Sequence, residues 1–335
     1  MTAIRFIAEW EQQQGVLIAW PHTGTDWADI LPAVTECYRQ VAAAIAADEP
    51  VFIVAPDISQ VRAALDGIDT SNIHLFEVAT NDTWARDFGP LSVEVDGTPT
   101  LLDFTFNAWG MKFAADKDNL ITSQLPWREI CGRELRGHRD MVLEGGSVET
   151  DGRGTLLTTS HCLLSPNRNP WWSQDEIADQ LLQRLGVKKV LWLDHGRVPG
   201  DDTDSHIDTM ARLAPGNVII HGATLPQSEE YDDYLLMKAQ LGTFTDVDGK
   251  PFTLVELPAP DPILDDDGCR LPATYANYLV TNHRVLVPTY AQPHNDEQAL
   301  KTIASVFTTR KVMGIDCRPL IAQHGSLHCI TMQLH

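Results

Sequence analysis

At 335 residues with 43% apolar composition, the chain is long enough to bury a substantial core, as one large domain or two ordinary ones. Asp plus Glu number 46 against 25 Lys plus Arg, a net charge of −21. That excess argues against nucleic acid or an anionic membrane surface as partner, since both need the opposite sign. The six cysteines (37, 131, 162, 269, 317, 329) are scattered without a Cys-x-x-Cys pair, so neither a disulfide framework nor a zinc site of the usual spacing is indicated. Arg5 and Glu9 interrupt the opening MTAIRFIAEWEQQ, so no signal peptide is expected. No run approaches the ~18 apolar residues of a membrane span, and the cytoplasm is the expected compartment.

In chain order, a helix at about 29–47 leads into a strand at 51–55. From there one pattern recurs: a polar stretch, a short strand, a tight turn, a second strand, then a helix and a further strand. Four hairpins follow it. They are 90–95 with 100–104 across Asp96-Gly97, 146–150 with 155–159 across Asp151-Gly152-Arg153-Gly154, 209–213 with 218–221 across Pro215-Gly216-Asn217, and 276–280 with 284–289 across Thr281-Asn282-His283. The turn residues are those that tolerate hairpin backbone angles. Ser173-x-x-Glu176 reads as a capping box ahead of an apolar stripe at Ile177, Leu181 and Leu185. Helices are also expected at 227–241 and 295–307, with β-branched strands at 190–193, 253–257 and 311–315.

The polar residues that open successive hairpins are Asp87, Glu144, His206, a position near Tyr275, and Cys329, spaced by 57, 62, 69 and 54 residues. Repetition at this period indicates a radial or solenoid architecture. The last unit is incomplete, because 327–332 reads as a strand with nothing after it. Its expected partner is the segment 15–20 at the other terminus, which would close a ring. The expected fold is a single α/β domain over residues 1–335, a five-bladed pseudo-symmetric propeller of ββαβ units.

In such a ring the leading ends of the units face one axial cavity. Asp87, Glu144, His206 and Cys329 would then meet, with Asp208 on the same side of an extended segment as His206. A thiol, an imidazole and three carboxylates form a set suited to covalent catalysis on a cationic carbon. Each motif also has a plainer reading. Arg86–Asp87 within TNDTWARDFGP could be a simple ion pair, Glu144 within LEGGSVETDG a turn residue, and Asp201, Asp202, Asp204, His206 and Asp208 within GDDTDSHID either a solvated acidic turn or a hard-metal site. Cys37, Cys131, Cys162, Cys269 and Cys317 read as structural.

Taken together, TNDTWARDFGP, LEGGSVETDG, GDDTDSHIDTMAR, RLPATYANYL, VLVPTY and HGSLHCITMQ resemble the agmatine deiminase family of the guanidine-modifying superfamily, whose fold is the pentein propeller. With AEWEQQQGVLIAWPH at the start, the resemblance spans nearly the whole chain. It implies Cys329 as nucleophile, His206 as acid/base, Asp87 and Asp208 gripping the guanidinium, Glu144 supporting His206, and Trp84 lying along the substrate. It implies hydrolysis of agmatine to N-carbamoylputrescine and ammonia, feeding putrescine and polyamine synthesis, with no metal and no cofactor. The sequence departs from longer members in one place, where Gln323-His324-Gly325 stands for three glycines.

The competing expectations are deimination of free or peptidyl arginine, a metal-dependent hydrolase, and a non-catalytic propeller that binds polyamines or a protein. Agmatine's distal ammonium needs an acceptor, for which Asp202 and Asp204 are candidates. Tyr275 and Asn277 are expected at the rim. Strand alternation is expected to turn His328 away from the target of Cys329. No feature of the sequence sets the oligomeric state; a homodimer is carried as an expectation.

Overall fold

A computed structural model describes residues 3–335. Among them are five small sheets that share one topology. Leu91–Val95 pairs antiparallel with Thr98–Thr105, which runs parallel to Glu134–Val142. The same antiparallel-then-parallel order joins Val148–Thr150, Thr155–Thr159 and Lys189–Leu193. It recurs in Ala211–Ala214, Val218–His221 and Thr253–Glu256, and in Leu279–Val280, Arg284–Thr289 and Lys311–Asp316. The fifth sheet unites the two ends of the chain. Thr331–Leu334 pairs antiparallel with Gly15–Ala19, in a register that sets Thr331 opposite Ile18 and Leu334 opposite Gly15. Gly15–Ala19 then runs parallel to Val51–Ala55. The expected pairing of the two terminal segments is therefore present.

Local chemistry explains the elements. Asp96 and Gly97 both take positive φ (50° and 79°), as do Gly216 and Asn217 (83° and 64°). Two successive left-handed residues match the right-handed twist of a hairpin, and Gly, Asn and Asp tolerate them best. The Ser173–Glu176 capping box forms in full, and Gly186 at φ 69° ends that helix, Gln174–Leu185. Its buried stripe is Ile177, Leu181 and Leu185. Gly15–Ala19 and Val51–Ala55 are buried at every position, as inner parallel strands covered on both faces must be.

Two expectations need correction, and two further strands had not been expected. Cys329 is not in mid-strand: residues 327–330 form a turn, and the strand begins at Thr331. His206 and Asp208 do not lie on an extended segment, because Ile207–Thr209 is a single 3₁₀ turn. Two strands outside the repeat, Ile73–Glu77 and Ile4–Phe6, extend the fifth and first sheets. Among the described residues no helix is long and apolar enough to cross a membrane.

Candidate active site

The segments that lead into the four hairpins and into the terminal strand Thr331–Leu334 come together. Asp87 sits in the short helix Ala85–Phe88, Glu144 immediately before the turn Gly145–Ser147, and His206 and Asp208 at the turn Ile207–Thr209. Asn277 precedes Leu279–Val280, and Cys329 precedes Thr331–Leu334. Glycines permit the close approach. A Cβ on Gly145 would overlap the carbonyl oxygen of Arg86, and one on Gly146 would lie 2.7 Å from His206 Nδ1, 2.9 Å from Asp87 Oδ1 and 3.2 Å from Asp208 Oδ2. The main chain at Gly146 thus forms the floor between an imidazole and two carboxylates.

His206 is held between acids, with Nδ1 3.6 Å from Asp87 Oδ1 and Nε2 3.8 Å from Glu144 Oε2. Asp87 accepts from Gly146 N (3.0 Å) and from Trp109 Nε1 (2.9 Å). Asp208 Oδ2 accepts from His328 Nδ1 (2.7 Å) and Asn277 Nδ2 (3.2 Å). Asn277 Oδ1 in turn accepts from the backbone N of His328 (2.9 Å) and of Cys329 (3.3 Å), and from the Cys329 thiol (3.4 Å). Two buried polar atoms have no hydrogen-bond partner in this otherwise saturated cluster: His206 Nε2 and Asp208 Oδ1. His206 Nε2 faces Glu144 and Cys162, whereas Asp208 Oδ1 is the atom for which a ligand is expected to supply the missing partner.

The electrostatics follow from burial and charge. Burial pushes the Cys329 thiol well above its usual range, and the charges of Asp208 and Asp87 push it further. Burial, with Asp208 and Glu144 adding to it and His206 opposing, lifts Asp87 to about 6. Burial disfavours the His206 imidazolium, yet the Asp87 charge and the Cys162 and Glu144 contacts outweigh it and raise the group well above its usual value. For Glu144, burial is overcome by Arg168 and His206, which hold the carboxyl near 2. Burial and the neighbouring charges thus favour a neutral thiol beside a protonated imidazole.

A cavity of about 440 Å³ opens onto the cluster. Asp87, Trp84, Trp109 and Cys329 line it; His206, Asp208 and Glu144 lie just beneath that lining, fully buried. Trp84 packs flat against Gly325, where any Cβ would overlap its ring. The departure at Gln323-His324-Gly325 thus keeps a glycine where contact demands one. His324 adopts the left-handed backbone itself (φ 65°), with Nδ1 2.8 Å from the carbonyl of Gly200. Six carboxylates line the cavity (Asp26, Asp82, Asp87, Asp118, Asp201 and Asp202) against one lysine, Lys117, and no arginine.

The family profile of the Porphyromonas-type peptidyl-arginine deiminases matches residues 5–334. The chain belongs to that family. A relative from Shewanella sp. (strain W3-18-1), named "Putative agmatine deiminase", is 33% identical over 352 residues, covering 98% of this chain and 93% of its own. Among solved structures, a C. jejuni agmatine deiminase, a Cys-to-Ser variant with substrate bound, is similar at 36% identity and TM-score 0.92, over 99% of this chain and 96% of its own. A structure titled as a "Putative Arginine Deiminase" from Porphyromonas gingivalis is similar at 46% identity and TM-score 0.92, over 98% of both chains. Fold and family are thereby shared with guanidine deiminases.

Within this deiminase family fold, sequence reasoning misplaced some side chains and overlooked others. Asp202 lines the cavity, but Asp204 does not. At φ 66° its side chain turns outward, between Lys112 Nζ (2.8 Å) and Arg168 Nη1 (2.6 Å). Arg86 pairs with Glu9 (3.0 Å) rather than Asp87. Tyr275 bonds Asp296 (2.8 Å) away from the cavity, and Asn277 is in the heart of the cluster rather than at a rim. Trp109 had no motif to announce it. It reaches Asp87 from a run of four left-handed residues, Ala108 to Met111 (φ 53°, 55°, 86°, 67°). Left-handed residues normally occur singly, so the run marks strain held by its surroundings. Arg168, fully buried, clamps Glu144 with Nε 2.8 and 3.0 Å from its two oxygens. Among the described residues, two groups have metal-ligating atoms within 4.8 Å of one another, Glu144–Cys162–His206 and Glu9–Glu149–His328. In both, arginines already neutralise the carboxylates: Arg168 in the first, Arg212 in the second.

Proposed function

We propose that this protein hydrolyses the guanidinium of agmatine to N-carbamoylputrescine and ammonia through a covalent intermediate on Cys329. The observation that carries this reading is the unpaired, buried Asp208 Oδ1 beside Asp87, next to a thiol and an imidazole at the base of an acid-lined cavity. A guanidinium is planar and permanently charged, and two carboxylates accepting its N–H groups fix its plane. In this reading the five sheets are the blades of a five-bladed α/β propeller and residues 1–335 one domain. The five leading segments then approach from around one axis.

The resting thiol is neutral because Asp87 and Asp208 repel a thiolate. A bound guanidinium neutralises both acids, and the thiol gives up its proton to solvent, to be regained by the sulfur when the C–S bond breaks. The thiolate attacks the central carbon, forming the C–S bond of a tetrahedral adduct. His206, held protonated, gives its proton to one amino group, which leaves as ammonia and generates an S-linked thiouronium. The neutral imidazole then takes a proton from water as the water adds, the C–S bond breaks, and the ureido product leaves. Glu144 fixes the imidazole and Trp84 flanks the alkyl chain.

For the distal group, the five carboxylates that remain beside Asp87, against a single lysine, Lys117, favour an ammonium over an α-carboxylate. Burial lifts Asp82 and Asp118 to about 7, so an arriving cation would draw both into their charged forms. The reading places the reaction in the cytoplasm and in polyamine synthesis. Its test is product analysis by mass spectrometry with agmatine, arginine and a blocked arginyl peptide in parallel. Ammonia and N-carbamoylputrescine from agmatine are expected; turnover of arginine with none of agmatine would overturn the assignment. EDTA is expected to leave the rate unchanged, whereas a metal-dependent hydrolase would lose it.

The acid limb of the rate profile has a defined sign. Asp87 must be ionised to grip a cation and titrates near 6 in the free protein. Hence kcat/KM should fall about tenfold per unit below that pH, and above it should hold only as long as His206 stays protonated. A limb unchanged in Asp87→Asn would assign the titration to another group.

A further inference from the structure

His328 belongs to a buried ionic network that the proposed reaction does not use. Its Nδ1 lies 2.7 Å from Asp208 Oδ2 and its Nε2 2.7 Å from Glu9 Oε1 and 3.0 Å from Arg212 Nη2. Glu9 comes from the N-terminal segment and also receives Arg86 Nη1 (3.0 Å), Gln333 Nε2 (3.2 Å) and Arg212. Arg212 is paired besides with Glu149, and lies over the ring of Tyr278, 4.7 Å from its centroid. The ring of His328 therefore meets Asp208 on one side and Glu9 and Arg212 on the other. Arg86, whose Nε lies 3.5 Å from the His328 carbonyl, completes the charged groups around it.

Asp208 is an acceptor only, held below the usual carboxylate range against burial by His328, His206 and Arg212. Nδ1 must therefore carry the ring proton and donate it. That bond and the one from Asn277 both end on Oδ2, which leaves Oδ1 as the atom without a partner.

We infer that His328, whose Nε2 accepts from Arg212, which Glu9 holds in place, is a positioning residue that keeps Asp208 ionised with Oδ1 turned to the guanidinium. The inference rests on the functional reading above for its substrate, but on geometry for the role. Strand alternation led to the expectation of a histidine turned aside from the chemistry. The turn at 327–330 turns it instead onto the carboxylate beneath the substrate site.

The experiment compares wild type with His328→Phe, His328→Asn and Glu9→Gln, with thermal melts to confirm folding. Phe keeps the planar shape and loses both nitrogens; Asn restores a donor near Nδ1. A charge-assisted hydrogen bond to a buried carboxylate is lost in His328→Phe, so kcat/KM for agmatine should fall about 10- to 100-fold, chiefly through KM. Its acid limb should move to higher pH, because an unsupported Asp208 takes up a proton more readily. His328→Asn should recover part of both, and Glu9→Gln should show the limb shift at smaller amplitude. A folded His328→Phe within twofold of wild type, or a loss with no limb shift and no recovery in His328→Asn, overturns the inference. Should His328→Phe not fold, His328→Asn and Glu9→Gln carry the same reading, and two unshifted limbs overturn it.

Agmatine binding to Cys329→Ala with and without His328→Asn, by calorimetry, separates the two readings. If wild type turns over no agmatine but binding weakens in the His328 variant, only the assigned reaction fails. If turnover is intact and binding is unchanged, only the role of His328 fails.

Discussion

Cys329→Ala should abolish ammonia release from agmatine, by about 10⁴-fold or more, without a comparable loss of stability. Among the described residues, the substitution removes the only sulfur lining the cavity. Structurally it gives up one weak thiol hydrogen bond, to Asn277 Oδ1 at 3.4 Å, and that costs at most about 1 kcal/mol. The variant should therefore bind agmatine and not turn it over. Iodoacetamide gives an independent reading. Cys269 is exposed and should be labelled without loss of activity, while Cys37, Cys162 and Cys317 are buried. Inactivation should track modification of Cys329 alone and be slowed by agmatine. More than a trace of activity in Cys329→Ala, or inactivation that tracks another cysteine, would end the covalent mechanism.

Gly146→Ala should be the second most damaging change, costing about 10²-fold or more in kcat/KM. The added methyl would lie 2.7 Å from His206 Nδ1 and 2.9 Å from Asp87 Oδ1. Neither group can retreat, since His206 is confined between Asp87 and Glu144 and Asp87 is tied to Trp109 and to the Gly146 amide. Displacement of reacting groups by a fraction of an ångström is enough for a loss of that size. The neighbouring position offers a control. A Cβ on Gly145 meets main chain, the Arg86 carbonyl, so Gly145→Ala should lower the melting temperature more. Gly146→Ala should be the variant that folds and fails to react. Equal rates for Gly146→Ala and wild type in an assay on agmatine would show that the floor of the site is not where these distances place it.

Much of this was legible in the linear sequence because its signals are local. The Ser173 capping box, the Asp96-Gly97 and Gly216-Asn217 turns and the apolar strands expected at 15–20 and 51–55 express nearest-neighbour chemistry, and each forms, the strands as Gly15–Ala19 and Val51–Ala55. The spacing of polar residues ahead of hairpins was legible too, because a unit that repeats presents its leading end the same way each time. Asp87, Glu144, His206, Asp208 and Cys329 were picked out on that ground together with a family resemblance. Asn277 stood at the fourth hairpin and could have been found by the same rule, as the polar residue two positions ahead of Leu279–Val280.

Other assignments had no local signal. Asp201, Asp202 and Asp204 are equivalent in sequence, and only a left-handed backbone at Asp204 turns its carboxylate outward to Lys112 and Arg168. Trp109 reaches Asp87 through four consecutive left-handed residues that no propensity would predict. Arg168 and Glu9 act across 24 and 319 residues of chain, on Glu144 and His328 respectively.

From its residues alone the chain specified a repeating α/β design, a set of acids with a thiol and an imidazole, and a family. Those follow from periodicity and composition, which fold locally. Tertiary packing decided which carboxylate keeps a free oxygen, which acids an arginine already occupies, and that His328 faces Asp208. Such properties depend on orientation and on charges brought close from distant segments, where burial turns a few tenths of an ångström into a change of protonation state.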